Sequence, residues 1–417
     1  MSLIYAETKI IPFGIIPFGI IPFGIIFTKN SATQGMSKDR KGPFMFGKTV
    51  SESSFTNREK EYKKLKTNLL SGINTILISP RRWGKSSLVE KLMNDFRQNE
   101  TAIRVVQLDF FGLHSEGEFL TAFAGAVIKA SSDKWEEWMS NATGFFKQLI
   151  PRLSVGIDPQ NDFSMSFDWN ELIKNKDEIL NLPETISAKK GIRMVICLDE
   201  FQNISAYPGY KALEKHMRTC WQRHKLVSYC LLGSKRHMMS DIFNNPGKPF
   251  YRFGDIMFLG KIEEKSWLPF IISGFESTGK SIKPEAARRI TELMACHSWY
   301  VQQLSHYTWN RTGKKAGMEE VEAALEEVLE TNMPLYLMET EWLSATQLQF
   351  LIAIAHGETR LTSQGVMKKF QLGTPRNILK NKKLLLDHDI IDLLEGKYIF
   401  LDPAFEIWFR RIFVRRS

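Results

Sequence analysis

Short apolar runs alternate with amphipathic segments between residues 74 and 243. Each run has the length and the continuous hydrophobicity of a strand that is buried on both faces of a parallel sheet. The runs are residues 74–79, 103–109, 193–200 and 227–233. The helical segments between and after them are residues 88–96, 118–129 and 235–243. Strands that alternate with helices predict an α/β domain built on a doubly wound parallel sheet.

A further helical segment, residues 55–70, precedes the first apolar run. Its apolar side chains recur at helical spacing, and Glu59 and Glu61 lie in its first turn, where acidic residues stabilise a helix N-terminus. Asn57 stands just before that turn, and asparagine is among the preferred capping residues. The pattern therefore predicts a helix that Asn57 caps.

Beyond residue 262 the pattern becomes helical. Residues 262–332 contain amphipathic segments such as 284–295 and 318–330, and we expect an all-helical lid domain there. Three more helices and two short strands follow, at residues 345–355, 363–370, 374–387, 390–394 and 398–401. This order of elements is typical of a winged helix-turn-helix.

Local sequence signals support the winged helix. Thr374 stands before Pro375, so the third helix of this region is expected to begin with a threonine cap and a proline in its first turn. Glu395 and Gly396 separate the two short strands, which predicts the hairpin of the wing.

The N-terminal residues carry the tandem repeat IIPFG three times in succession, from Ile10 to Gly24. The apolar stretch 10–26 approaches the length of a membrane span, but each of its three prolines removes a helical hydrogen bond, so no membrane helix is expected. The prolines and Glu7 are also unlike a secretory signal. We interpret residues 1–35 as an extension outside the fold, with Met36 as an alternative start. An exposed segment that binds a partner or a membrane surface is the other interpretation.

These patterns predict four regions. They are the low-complexity extension 1–35, an α/β domain at 36–262, a helical lid domain at 263–335 and a winged helix domain at 336–417. Residues 131–182 form a long insertion in the α/β domain that is rich in aromatic residues, and we expect a hairpin within it.

The composition is that of an ordinary globular protein, because 43% of the 417 residues are hydrophobic and 24% are charged. These fractions exclude a disordered chain, a collagen and a multi-span membrane protein. The four cysteines lack the spacing of a metal site or a disulfide framework, which favours a reducing cytoplasm. Lys and Arg exceed Asp and Glu by 56 to 46, and this net charge of +10 favours an anionic partner such as a nucleotide or a nucleic acid.

The end of the first predicted strand carries a candidate phosphate-binding loop, SPRRWGKSS. A loop that leads from a strand into a helix directs backbone N–H groups and the helix dipole at a phosphate. Lys85 can reach the β- and γ-phosphate oxygens, and the Ser86 hydroxyl can bind Mg²⁺, as in the pattern GxxxxGK[ST]. Ser79 stands where that pattern has its first glycine, so either its φ is ordinary or the loop is strained there. The candidate nucleotide-binding residues are Ser79, Pro80, Arg81, Arg82, Trp83, Gly84, Lys85, Ser86 and Ser87.

Two adjacent carboxylates, Asp199 and Glu200, end the apolar run 193–200. Ligands bind at the carboxyl ends of parallel strands, so both side chains are expected beside the loop. Asp199 is the candidate magnesium ligand together with Ser86, and Glu200 is the candidate general base that polarises an attacking water. Ser234 follows the next apolar run, and it either binds the γ-phosphate or the water, or simply caps the helix after it.

Five segments in this order resemble the archaeal-type ATPase family of AAA+/STAND P-loop ATPases. They read FTNREKE, LISPRRWGKSSLV, ICLDEFQNI, LLGSKRHMM and PFYRFGDIMFLGKI. The resemblance extends from about residue 45 to the C-terminus, and it implies an AAA+ core, a helical lid, a winged helix and ATP as the nucleotide. It also implies that Phe55 and Arg58 frame the adenine pocket and that Arg252 is an arginine finger, in cis or from a neighbouring copy. The other interpretation of Arg252 is a surface arginine between two aromatic residues.

The lid departs from the pattern of this family at residues 296–300. Similar proteins often open a lid helix with a Gly-x-Pro element near the nucleotide, whereas this chain reads CHSWY. We therefore interpret His297 as a packed or capping residue rather than a nucleotide sensor.

Half of the excess positive charge lies in the predicted winged helix, since residues 344–417 contain 12 basic and 7 acidic residues. Six basic residues and no acidic residue lie from Lys368 to Lys383, on or before the third helix. This charge favours duplex DNA bound through 363–387 and the wing, with Arg376 and Asn377 able to contact base edges. A protein partner is the alternative, because winged helices also bind proteins and a lysine-rich helix is often only solvated.

The sequence therefore predicts a cytoplasmic, magnesium-dependent ATPase with a low rate. It would act as a molecular switch that couples nucleotide state to a winged helix acting on DNA or on a protein partner. The alternative is an ATP-regulated DNA-binding regulator or initiator with negligible hydrolysis. No membrane association is expected, and the oligomeric state stays open.

Overall fold

The computed structural model describes residues 42–47, 57–131, 155–158, 164–167 and 175–414. The expected extension at residues 1–35 and the expected adenine-pocket residue Phe55 lie outside the described residues.

A five-stranded parallel sheet forms the centre of the α/β core, with the strand order β2–β5–β6–β1–β7. The strands are β1 (Thr75–Ile78), β2 (Ile103–Asp109), β3 (Val155–Asp158), β4 (Ser164–Phe167), β5 (Arg193–Asp199), β6 (Val227–Gly233), β7 (Asp255–Phe258), β8 (Ser281–Ile282), β9 (Lys315–Ala316), β10 (Ile391–Leu394) and β11 (Lys397–Phe400). Strand β6 lies between β1 and β5, so the carboxyl ends of the three strands meet at one edge of the sheet. The predicted phosphate loop and the two predicted carboxylates leave from that edge.

Each helix that the sequence predicts is present, with ends that differ by a few residues except at 318–330, where the helix continues to Glu341. The helices are α1 (Glu59–Leu70), α2 (Lys85–Asn99), α3 (Glu116–Ala130), α4 (Lys176–Lys190), α5 (Tyr210–Trp221), α6 (Arg236–Asn244), α7 (Glu264–Glu276), α8 (Pro284–Leu293), α9 (Ser298–Arg311), α10 (Met318–Glu341), α11 (Ala345–Ala355), α12 (Gln364–Lys369), α13 (Pro375–Asp387) and α14 (Pro403–Phe409). Within the described ranges, no helix combines the length and the hydrophobicity that crossing a membrane requires. All four cysteines are free thiols.

The sheet is buried on both faces, as expected for parallel strands. Alternate residues of β5 enter different cores: Ile196 and Leu198 pack on the side of α3 to α6, and Val195 and Cys197 pack on the side of α1 and α2. This two-sided burial accounts for the continuous hydrophobicity of the strands. The predicted hairpin of the long insertion is confirmed by β3 and β4, which pair antiparallel.

The lid and the winged helix share one hydrophobic core. Buried side chains from both regions, such as Trp267, Tyr300, Phe350 and Trp408, belong to a single cluster. Helix α10 runs through the boundary expected at residue 335 without a break, so no linker separates the two regions. The lid is not all-helical as predicted, because β8 and β9 form a short parallel pair within it.

The wing turns as the sequence predicts. Glu395 and Gly396 have φ values of 50° and 79°, the left-handed conformation that two-residue hairpin turns require. The predicted Thr374 cap is confirmed, since its hydroxyl accepts a hydrogen bond from the Asn377 N–H at 3.3 Å.

The prediction that Asn57 caps α1 is wrong. The capping position is occupied by Arg58, with a left-handed φ of 88° and no side-chain cap. The Asn57 carboxamide instead accepts from the Arg58 N–H and donates to the Ser266 hydroxyl of the lid, both at 2.8 Å. The Asn57 side chain therefore makes a tertiary contact with the lid and does not cap α1.

Candidate nucleotide-binding site

The loop between β1 and α2 has the backbone of a phosphate cradle. Gly84 precedes the first residue of α2 with a φ of 94°, a conformation that favours glycine, and Arg82 has a φ of 66°. Ser79 is not among the residues with positive φ. Ser79 therefore has an ordinary φ, and the loop is not strained at that position. The strained residue of the loop is Arg82.

The structure brings the predicted lysine, serine and carboxylates into one cluster. Lys85 is 6% exposed, and its Nζ donates to Asp199 Oδ1 at 2.5 Å and to Glu200 Oε1 at 3.3 Å. The Ser86 hydroxyl donates to Asp199 Oδ2 at 3.2 Å. A buried ammonium is costly unless it is paired, so this cluster fixes the lysine at the start of α2, directly beneath the loop.

Glu200 is the most constrained of these side chains. It has a φ of 50°, and its Oε2 accepts hydrogen bonds from Ser234 Oγ at 2.6 Å and from the Gln202 side-chain amide. Burial acts to raise the pKa of Glu200, but the charge of Lys85 and the bonds from Ser234 and Gln202 outweigh it, and the pKa is lowered. Glu200 therefore stays ionised and keeps a fixed orientation.

Ser234 lies at the tip of β6, between the loop and Glu200. It does not cap the helix that follows, since Lys235 occupies that position without a side-chain cap. Gln202 was not anticipated: it is fully buried and also donates to the Ser234 hydroxyl at 3.3 Å. No sequence signal distinguishes it, because Asn203 and Ser205 in the same short segment are polar as well.

A cavity of about 720 Å³ opens over the loop and the carboxylates. Its far side is lined by Met45 and Phe46, which precede α1, and by Trp299 and Gln302 of the lid helix α9. The rings of Phe46 and Trp299 meet edge to face at 5.4 Å, and Gln302 Oε1 accepts from the Met45 N–H at 3.0 Å. Aromatic rings and an amide beside a phosphate loop provide both stacking and polar contacts for a planar base. Sequence reasoning missed these residues, because chain segments more than 200 residues apart form this wall.

Three predicted nucleotide-binding residues, Arg58, Ser79 and Trp83, are not among the residues that line this cavity. Arg58 is buried behind the loop, where its guanidinium donates to the Trp83 carbonyl at 3.2 Å and to the Gly260 carbonyl at 2.7 Å. Burial lowers the pKa of Arg58, although its pairing with Glu61 opposes the shift. Arg58 therefore stabilises the loop through the Trp83 carbonyl, and neither residue lines the cavity.

His297 packs, as interpreted from the sequence. It is 3% exposed and meets the rings of Trp83 at 6.1 Å and Tyr300 at 4.8 Å. Burial lowers the pKa of His297 to about 3, with further lowering from Lys261 and Arg82, so the imidazole is neutral at physiological pH.

Arg252 is not brought to this cavity. It has a φ of 52°, is exposed, and lies three residues before β7, at the amino edge of the sheet, opposite the edge that holds the loop. Its guanidinium lies over the Tyr251 ring at 5.2 Å. An arginine at this place can reach a nucleotide only in another copy of the chain.

Comparison with known proteins agrees with this architecture. A family model described as "Probable winged helix domain" matches residues 335–411. The Walker-type ATPase PABY2304 of Pyrococcus abyssi is similar in fold, with a TM-score of 0.61 and 17% sequence identity over 87% of this chain and 98% of that chain. The ORC2 protein of Aeropyrum pernix, in its ADPNP–ADP complexes, gives a TM-score of 0.52 and 14% identity over 89% and 99%. Its ADP form gives 0.51 and 12% over 90% and 99%. No curated protein matches the sequence.

The chain therefore has the fold of a P-loop ATPase, with a parallel α/β core, a helical lid and a C-terminal winged helix. These solved structures agree with the fold that the resemblance of the sequence motifs to archaeal-type AAA+ ATPases implied.

Proposed function

We propose that this protein binds and slowly hydrolyses ATP with Mg²⁺, and that nucleotide state controls its winged helix. The observation that carries the proposal is the cluster of Lys85, Ser86, Asp199 and Glu200 at the floor of a cavity large enough for a nucleotide. The aromatic wall of Phe46 and Trp299 supports a nucleotide base at the other end.

The side chains have separate roles in this proposal. Lys85 neutralises phosphate charge as it leaves its carboxylate partners, and the backbone N–H groups at the start of α2 bind the same phosphates. Glu200 orients the attacking water and accepts its proton, while Ser234 and Gln202 hold the carboxylate in place.

Ser86 and Asp199 fit a magnesium ion. The Ser86 hydroxyl and an Asp199 carboxylate oxygen lie 3.2 Å apart, and both are the hard oxygen donors that Mg²⁺ prefers. A bound Mg²⁺ would supply charge neutralisation to the phosphates. Few protein ligands are needed, because Mg²⁺ usually keeps several waters.

Substitution of Lys85 and of Glu200 tests the proposal. Lys85→Ala is expected to abolish ATP binding, because it removes the buried cation of the site. Glu200→Gln is expected to bind ATP and to reduce turnover by at least about a hundredfold, because an amide cannot accept the proton. Equilibrium binding and phosphate release would measure the two effects.

The matched control is Lys129→Ala, which removes an exposed lysine from α3 and should change neither quantity. If Glu200→Gln hydrolysed ATP at the rate of the wild type, Glu200 would not be the base. If neither the wild type nor the variant bound ATP, the proposed function would be wrong.

A second candidate is an ATP-regulated DNA-binding protein whose hydrolysis is negligible. The observation that favours it is the exposed basic face of α13, where Arg376, Lys380 and Lys383 point to solvent. This candidate would be favoured over the first if the wild type hydrolysed ATP no faster than the Glu200→Gln variant and bound duplex DNA in a salt-dependent way. A protein partner at the same face is the alternative to DNA.

The proposed role of Arg252 as an arginine finger requires a second copy of the chain, given its place at the amino edge of the sheet. The mass of the protein in solution with ADP and with a slowly hydrolysed ATP analogue would test this. A monomer in both states would remove Arg252 from the catalytic residues.

A further inference from the structure

An acidic turn of the winged helix faces the phosphate loop. This turn, residues 387–392, joins the end of α13 to β10 and carries Asp387, Asp389 and Asp392. Asp389 Oδ2 lies 3.6 Å from Nε of Arg81, a loop residue that lines the nucleotide cavity. A carboxylate of the winged helix therefore pairs with a cation of the phosphate loop.

The same turn contacts the segment that follows Ser234. Lys235 Nζ donates to the Asp387 carbonyl at 2.7 Å, and His237 Nε2 lies 3.0 Å from Asp387 Oδ1. Arg236 Nη1 lies 3.6 Å from Asp392 Oδ2. Because Ser234 itself bonds Glu200, these contacts begin one residue away from the water-activating end of the site.

The position of Asp389 is the informative one. Its side chain is 24% exposed, and burial raises its pKa against the opposing charges of Arg81 and Lys235. The charge of Glu200 also acts to raise this pKa, so the Asp389 carboxylate lies within the electrostatic range of the catalytic carboxylate. The Asp389 carboxylate thus pairs with Arg81, a residue that lines the cavity, and is repelled by Glu200, the candidate general base.

The neighbouring loop arginine also leads to the winged helix. Arg82 Nη1 donates to the Tyr300 hydroxyl at 3.3 Å, and Tyr300 donates to the Asp402 carboxylate. Asp402 caps α14 by accepting from the Phe405 N–H at 2.9 Å. Both loop arginines are therefore engaged by carboxylates of the winged helix, one directly and one through a lid tyrosine.

We propose that Asp389 takes the place of a terminal phosphate beside Arg81 and Lys235, so that docking of the acidic turn and binding of a nucleoside triphosphate compete. This inference rests on the proposed nucleotide-binding function. The terminal phosphate and the Asp389 carboxylate are both negative. If both approach Arg81 and Lys235, they repel each other. By linkage, the triphosphate loosens the turn to the same degree that the turn weakens triphosphate binding. A diphosphate lacks the competing group and leaves the turn docked.

The test is the Asp389→Asn variant of the full chain, titrated with ATPγS and with ADP in the presence of Mg²⁺. The residue has a φ of 56°, and asparagine tolerates that conformation well, so the turn is expected to fold. Since the Arg81 pair is partly exposed, the expected gain is moderate: affinity for ATPγS rises by about fivefold and affinity for ADP by less than about twofold.

Hydrogen exchange of the backbone amides in residues 385–392 gives a second readout. In the wild type, ATPγS should speed exchange there and ADP should not. In Asp389→Asn, exchange should be fast before any nucleotide is added. The matched control is Glu395→Gln, which removes a charge from the tip of the wing, where Glu395 is exposed and has a φ of 50°. It should behave as the wild type in both measurements.

The outcomes separate this inference from the function on which it rests. If the wild type binds neither nucleotide, the proposed function fails. If the wild type binds ATPγS but Asp389→Asn binds it no more tightly, and exchange in the turn does not respond to nucleotide, the competition is overturned and the nucleotide site stands. Equal gains for ATPγS and ADP would also overturn it, because the effect would then not concern the terminal phosphate.

Discussion

Glu200 shows how a residue with a strained backbone can be held in one orientation. Its left-handed backbone turns the carboxylate away from the direction of β5, and its own N–H donates to Asp199 Oδ1 at 2.8 Å. One carboxylate oxygen faces Lys85, while the other accepts from Ser234 and Gln202. Backbone strain of this kind persists only where the surroundings hold it, and here three side chains do so.

The pH dependence of hydrolysis should report the Ser234 hydrogen bond. A general base works only when ionised, so turnover falls as the pH drops through the pKa of Glu200. The bond from Ser234 lowers that pKa, and Ser234→Ala should therefore raise it and move the acid limb of kcat/KM to higher pH. A pH–rate profile measures the shift.

Ser234→Thr keeps the hydroxyl and is the matched control for this experiment, with an acid limb like that of the wild type. A Ser234→Ala enzyme that is slower at every pH but has an unmoved acid limb would contradict the positioning role. Ser234 would then act on the phosphate or the water directly.

Strand β7 is held against β1 by a close backbone approach at its start. A Cβ on Gly254 would lie 2.1 Å from the carbonyl oxygen of Asn74, which is backbone and cannot move aside. The Asp255 N–H donates to that same carbonyl at 2.9 Å. Glycine at position 254 therefore permits the register in which Thr75 faces Asp255, and with it the position of the strand that leads into the phosphate loop.

Gly254→Ala is expected to lower the free energy of unfolding by about 1–3 kcal/mol, because the added methyl group forces β1 and β7 apart. Thermal and denaturant unfolding would measure the loss. Gly313→Ala is the control: a Cβ there meets nothing within 4 Å, and its effect should stay within about 0.5 kcal/mol. Equal stabilities for the two variants would show that the sheet edge adapts without cost.

The elements around the site were predictable where the signal is local. The strand ending at Ile78, the loop to Lys85 and the strand ending at Asp199 follow from runs of apolar residues and from turn chemistry. Gln202 and Trp299 were not predictable, because their roles depend on packing between segments far apart in the chain. The Asn57 cap was predicted wrongly for the same reason, because the Asn57 carboxamide donates a hydrogen bond to the lid.

The shared core of the lid and the winged helix determines how the site can communicate with the rest of the protein. Trp299 lines the cavity, Tyr300 next to it bonds Asp402, and both residues lie on the lid helix that packs against α10. Close-packed side chains therefore connect the cavity wall to the winged helix, and such side chains tend to move as units rather than deform gradually. This shared packing could not be inferred from the sequence, where the lid and the winged helix are separate patterns.

The basic face of α13 makes a prediction about DNA that uses the whole arrangement. Arg376, Lys380 and Lys383 are exposed at i, i+4 and i+7, and no ion pair is formed by any of them among the residues described. If they contact phosphates, changing all three to Gln should reduce the slope of log K against log salt by about 2.7, since each contact contributes about 0.9. Anisotropy of a labelled duplex over a salt series measures this slope.

The control for this experiment is the triple change of Lys60, Lys63 and Lys129 to Gln, three exposed lysines of the α/β core that lower the net charge equally. An identical loss of slope in both variants would mean that binding follows overall charge and that α13 is no DNA interface, and a protein partner would then be favoured.

The acidic turn predicts the direction in which the nucleotide changes DNA binding. The turn lies at the C-terminal end of α13, where its carboxylates repel DNA phosphates. When the turn docks against Arg81 and Lys235, these cations neutralise it, and DNA binding to α13 is favoured. ATPγS, which would release the turn, is therefore expected to weaken DNA binding relative to ADP.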